Sequence, residues 1–169
     1  MENLEKVKQE TGSGDQILFG MPRFGTSIVL GIESWAIGTL YSSGFGLSNF
    51  LTWFAIAMGY LTIAASQFLL GWVSDTKYTK LGRRKPYIYI FAPFLGLSFI
   101  FLLSPTYFLP DLTDKTSLFF WLLIWDIVFR ASYAVTTPYQ AWMAEIFRVG
   151  ERPKVSQVQN TFNYIGNGI

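Results

Sequence analysis

Long apolar blocks alternate with short polar stretches along the chain. Residues 1–16, MENLEKVKQETGSGDQ, mix acid and base around Gly-Ser and read as a disordered cytoplasmic tail. Four apolar blocks follow, each of roughly 20 residues or more, the length that carries a helix across about 30 Å of hydrocarbon. They predict membrane-spanning helices over about 17–42, 50–72, 87–109 and 118–143. The first block is too long for a secretory signal, and no small-residue cleavage site closes it. A fifth block opens near Val155 and reaches Ile169, short of a crossing, so the chain reads as truncated downstream. The expected fold is all-α, a polytopic transmembrane helix bundle over 17–169.

Composition supports the pattern and removes several chemistries. Of 169 residues, 51% are hydrophobic, 18% aromatic and only 14% charged, against about 25% charged in soluble domains. With no cysteine there can be no disulfide, thiolate nucleophile or thiolate metal site. With no histidine there can be no Ser-His-Asp hydrolysis, histidine-ligated zinc or histidine proton relay. An enzyme is disfavoured, and neither a cofactor nor a metal is expected. A net charge of +2 is too small to imply nucleic acid.

The basic residues are clustered, which sets an orientation. Lys77, Lys80, Arg83, Arg84 and Lys85 lie between spans two and three, Arg148, Arg152 and Lys154 after span four, and Lys6 and Lys8 in the tail. The two opposite loops hold only Lys115, beside Asp111 and Asp114. The N-terminus and both basic loops are therefore expected on the cytoplasmic side of the cell membrane.

Glu33, Asp126 and Arg130 stand inside apolar spans. A charge in the bilayer interior costs several kcal/mol, so such residues usually face a cavity or a partner. Arg130 lies near the centre of span four, and Asp126 is four residues, about 6 Å, nearer the outside. Glu33 lies about 5 Å outside the centre of span one, so one layer can hold all three. Asp126 and Arg130 also share a helical face at i,i+4. Two readings stay open: a structural ion pair with Glu33 merely hydrogen-bonded, or a polar site near the midplane, where transporters place substrate and coupling ion.

Other features favour helix packing. Ser27 and Gly31, Ser34 and Gly38, and Ala55 and Gly59 put small residues at four-residue spacing, which lets helix backbones approach in lipid. Pro93 removes one backbone bond from span three and is expected to kink it. Trp72 and Trp142 fit an aromatic belt at span ends. Trp35, Trp53, Trp121 and Trp125 lie deeper or further out, where packing and stacking on a sugar ring are both open.

The segment Gly71 to Ile88, GWVSDTKYTKLGRRKPYI, resembles the signature loop of the major facilitator superfamily: Gly71, Asp75, Gly82, Arg83 and Arg84 match it. Its longer spacing from Asp75, closing in Gly-Arg-Arg-Lys-Pro, is similar to the glycoside–pentoside–hexuronide:cation symporters (melibiose permease-like) and the plant-type sucrose transporters. Phe24-Gly25, Gly46-Leu47-Ser48, Pro138-Tyr139, Ala141 and Glu145 extend the resemblance over nearly the whole chain. It implies the first four spans and part of a fifth of an expected twelve. It implies too that Asp75 pairs with Arg83 or Arg84 as a cytoplasmic gate, broken and remade as two halves rock. Glu145 is a further expected gate partner.

Where the melibiose permease-like pattern has cation-binding aspartates, this chain has Ile63, Gln67 and Thr136, and a further aspartate of span one corresponds to Ser27. A family tryptophan corresponds to Gln140. A proton is thus the expected coupling ion in preference to sodium, with Glu33 or Asp126 as its carrier. Glu33, Asp126, Arg130 and Gln140 are the substrate and proton candidates. The expectation is a sugar or glycoside symporter working by alternating access in a lipid bilayer. A major facilitator for another solute, such as a drug or carboxylate, and a small non-transporting membrane scaffold are the alternatives.

Overall fold

Proline divides the first apolar block. In a computed structural model, which describes residues 11–168, helix α1 spans Ser13–Gly20 and α2 spans Pro22–Ile32. Pro22 has no N–H and a fixed φ, so it opens a helix readily but cannot continue one. Ser13–Gln16 are helical, with Asp15 in the first turn, where a carboxylate opposes the helix dipole. That corrects the expected disordered stretch over these residues; residues 1–10 of the expected tail lie outside the described residues.

After Ile32 the backbone widens into two π-helical turns, Glu33–Ile37 and Leu40–Gly44. Gly46 ends the segment at φ +65°, a left-handed conformation that glycine adopts without penalty. Ser48 then caps α3, Asn49–Thr76, by accepting the Leu51 N–H at 3.3 Å.

The next helix, α4, spans Lys85–Leu103 and carries Pro93 in its interior as one element. It stops earlier than the expected 87–109. Pro105 disfavours helical backbone at the residue before it, and Ser104 turns out at φ −125°, ψ 46°. A single turn, α5, Pro105–Phe108, follows. Asp114 caps α6, Lys115–Tyr133, accepting the Thr116 N–H at 3.0 Å. The Ser117 hydroxyl and this N–H hold the Asp114 carboxyl below the usual range. A tight turn interrupts the expected fourth span: Ala134 and Val135 bond back to Ala131 and Ser132. Pro138, four residues beyond Ala134, would collide with its carbonyl in a continuous helix. The chain resumes as α7, Thr136–Ile146, and closes on α8, Arg152–Asn167.

Among the described residues, three helical stretches are long and apolar enough to cross a membrane: Asn49–Thr76, Lys85–Leu103 and, taken through the turn, Lys115–Ile146. The fold is an all-α transmembrane bundle, with no strand among the described residues.

The chain divides into two compact units. In Glu33–Gln140, α6 lies between α3 and α4 and packs along both. Phe101 stacks on Trp125 with centroids 4.1 Å apart, and Trp121 donates to the Phe101 carbonyl at 3.0 Å. Trp121 and Trp125 are thus packed side chains. Buried Tyr41 donates its hydroxyl to the Leu102 carbonyl at 2.9 Å.

The other unit joins the described residues before Glu33 to those from Ala141 on, with α1 and α2 packed on α8. Ser27 and Asn163 share a hydrogen bond at 2.5 Å. A Cβ on Gly166 would lie 2.8 Å from the Phe24 carbonyl oxygen, so this crossing depends on a bare backbone. In the loop before α8, the Glu151 carboxylate accepts from the Thr11 N–H, the Thr11 hydroxyl and the Arg148 N–H. These bonds hold its carboxyl below the usual range.

Candidate functional site

Glu33, Asp126 and Arg130 meet in the Glu33–Gln140 unit. Asp126 and Arg130 stand one turn apart on α6, and the first π turn brings Glu33 to them. Arg130 Nη2 donates to Glu33 Oε1 at 2.6 Å. Arg130 Nε donates to both Asp126 oxygens, at 3.2 and 3.1 Å. The side chains are 0–1% exposed. Glu33 Oε2 is buried with no hydrogen-bond partner.

Two residues of α3 complete the site. The Arg130 guanidinium lies over the Tyr60 ring, 3.8 Å from its centroid, a cation–π contact. Beside it, a Cβ on Gly59 would overlap the Asp126 carboxylate and lie 2.5 Å from Arg130 Cδ. Gly59 is therefore what lets α3 lie against a charged cluster.

The cluster has an uneven charge balance. Fully ionised, two carboxylates face one guanidinium, and one negative charge is left over. Burying an uncompensated charge costs several kcal/mol, so the site favours taking up one positive charge.

At the basic end of α3 the signature loop has its own geometry. Thr79 and Gly82 exchange backbone bonds at 3.3 and 3.0 Å, and the Thr79 hydroxyl donates to the Gly82 carbonyl at 2.7 Å. Gly82 takes φ +101°, which an L side chain rarely adopts. This turn returns the chain so that Arg84, just before α4, reaches Asp75, just before the end of α3. Arg84 Nη2 lies 2.8 Å from Asp75 Oδ1. Gly71, one turn before Asp75, faces α7, where a Cβ would meet Thr137 Cγ2 at 3.4 Å.

Residues 18–169 match the family model described as MFS/sugar transport protein. The chain belongs to this family. It is a major facilitator chain and hence a multi-pass membrane protein of a transporter family. No curated protein and no solved structure matched it.

Not every candidate of this major facilitator chain joins the cluster. Gln140 stands half-buried on α7, beyond the turn at Ala134–Val135. Arg83 is half-buried in the signature loop, and Glu145 is exposed in the other unit. Sequence reasoning missed Gly59 and Tyr60 as parts of the site. In the sequence Gly59 signals only a small residue for helix packing. It lies two residues, about 3 Å, from the centre of the expected span 50–72, within the layer computed for the charges.

Proposed function

We propose that this major facilitator chain belongs to a sugar or glycoside transporter coupled to protons, and that Glu33, Asp126 and Arg130 form its coupling site. The observation that carries the reading is the buried cluster of two carboxylates on one guanidinium, with Glu33 Oε2 unpartnered. A proton on either carboxyl balances the charge and gives the unpartnered oxygen a hydrogen-bonding role. Transport then moves that proton with the solute as access alternates. The sugar assignment draws on the family description and on the long spacing of the signature loop, which favours the glycoside–pentoside–hexuronide branch. Gln140 is assigned to solute hydroxyls, with sodium the less favoured coupling ion.

Asp75 and Arg84 form a gate in this reading, with Gly71 and Gly82 shaping it and Arg83 and Glu145 as further partners. In this reading the clustered basic residues favour a cytoplasmic N-terminus and a protein of the cell membrane.

Glu33→Gln in the full-length protein tests the coupling role. The amide keeps the shape and the hydrogen bonds but cannot release a proton. Uphill accumulation of a labelled sugar under an imposed pH gradient is expected to vanish, while exchange of internal for external sugar survives. Accumulation near wild type would remove Glu33 from the coupling site, and loss of exchange and binding together would make it a solute ligand.

A further inference from the structure

An apolar groove runs along the Glu33–Gln140 unit between α3 and α4, with a cavity volume of about 360 Å³. Leu69, Leu70 and Val73 form one wall, Tyr87 and Phe91 the other, and Ala131 of α6 the floor. None of Glu33, Asp126 and Arg130 lines it.

The basic loop defines one end of the groove. Ser66, Leu70, Val73 and Lys77 follow one another at intervals of four, three and four residues, so they continue a single face of α3. Three are groove residues, and the fourth, Lys77, caps the helix and is exposed. On the opposite wall, Tyr87 lies in the first turn of α4. The groove therefore begins where α3 leaves the apolar layer and meets a lysine. Ser66 to Val73 spans seven residues, about 10 Å of depth along the helix. Exposed Trp72 and Tyr89 flank the same region, as aromatic residues do at a bilayer interface.

We propose that this groove holds one acyl chain of an anionic membrane phospholipid, whose headgroup phosphate is bound by Lys77. The apolar walls match a hydrocarbon chain, and Lys77 matches a negative headgroup at the depth where a phospholipid carries it. A zwitterionic lipid fits the walls equally but gains less from Lys77.

The test uses full-length protein in mild detergent, with equimolar phosphatidylglycerol and phosphatidylcholine added and bound lipid counted by native mass spectrometry. Wild type is expected to retain one phosphatidylglycerol in preference to phosphatidylcholine. Lys77→Gln, an exposed change that leaves the fold alone, is expected to lower the retained phosphatidylglycerol about fivefold. Ser66→Phe fills the groove and is expected to abolish retention of both lipids while thermal unfolding still shows a folded protein. Equal retention of the two lipids by wild type, or no effect of Lys77→Gln, would overturn the headgroup assignment. A folded Ser66→Phe protein that retains lipid as wild type does, or a wild type that retains none, would overturn the groove as the seat and leave it to another segment of the protein.

Discussion

Two arginine–carboxylate contacts in the same unit have similar lengths and different settings. Arg130 reaches Glu33 at 2.6 Å with both side chains at 0–1% exposure. Arg84, itself buried, reaches Asp75 at 2.8 Å, and Asp75 is more than half exposed. A buried ion pair is costly to leave half-made, because the remaining charge has no water to turn to. A pair with one partner in water is worth less in stability, because solvent and salt compete for the exposed carboxylate. Chemistry alone thus does not separate a fixed site from a latch. Burial does: the Arg130 cluster keeps its charges from water, and the half-exposed Arg84–Asp75 contact is the one that opens in the proposed reading.

The largest effect expected from this contrast is at Arg130. Arg130→Met leaves two carboxylates buried without a cation, and about 3–5 kcal/mol of stability is expected to go. Asp75→Asn is expected to cost less than about 1 kcal/mol. Unfolding of the purified full-length variants in detergent measures both, and equal losses would erase the distinction.

Gly59→Ala comes next. Its Cβ would overlap the Asp126 carboxylate, and overpacking of this kind costs about 1–3 kcal/mol. Gly96→Ala is the control: nothing lies within 4 Å of its Cβ, and alanine in place of glycine inside a helix gains about 0.5–1 kcal/mol. The two variants are expected to move stability in opposite directions, and a destabilisation of similar size at both would show that Gly59 has no special contact.

The smallest stability effect, at Asp75, carries the sharper functional prediction. Asp75→Asn is expected to slow turnover more than it weakens solute binding, because it shifts a two-state equilibrium far from the buried cluster. Normal turnover with much weaker binding would contradict the latch.

The all-α fold was legible because apolar blocks of membrane length leave few alternatives. The meeting of Glu33, Asp126 and Arg130 could be anticipated from depth along the helices alone. The interruptions were harder. Pro22, Pro105 and Pro138 were visible as prolines, but hydropathy runs smoothly through all three, so each expected span was drawn unbroken. The π turns leave no mark in composition, since the same residues would serve an α-helix. Gly59 was hidden for another reason: a missing side chain looks the same whether it admits a neighbouring backbone or a charged group. Only the partner's position distinguishes them.

The widened backbone after Ile32 constrains how this segment can change length. Buried Glu33, Ile37 and Tyr41 recur at a strict interval of four residues. In an ideal α-helix that interval advances about 40° at each step, because four residues overshoot a turn of 3.6. Wide turns absorb the overshoot and keep the stripe in line. Deleting one residue between Glu33 and Gly44 would leave a helix there, yet rotate one side of it against the other by about 100°. Helical content would survive and the stripe would split. Length here is a fixed quantity, as it is in a gear, where losing one tooth leaves a sound wheel that no longer meshes.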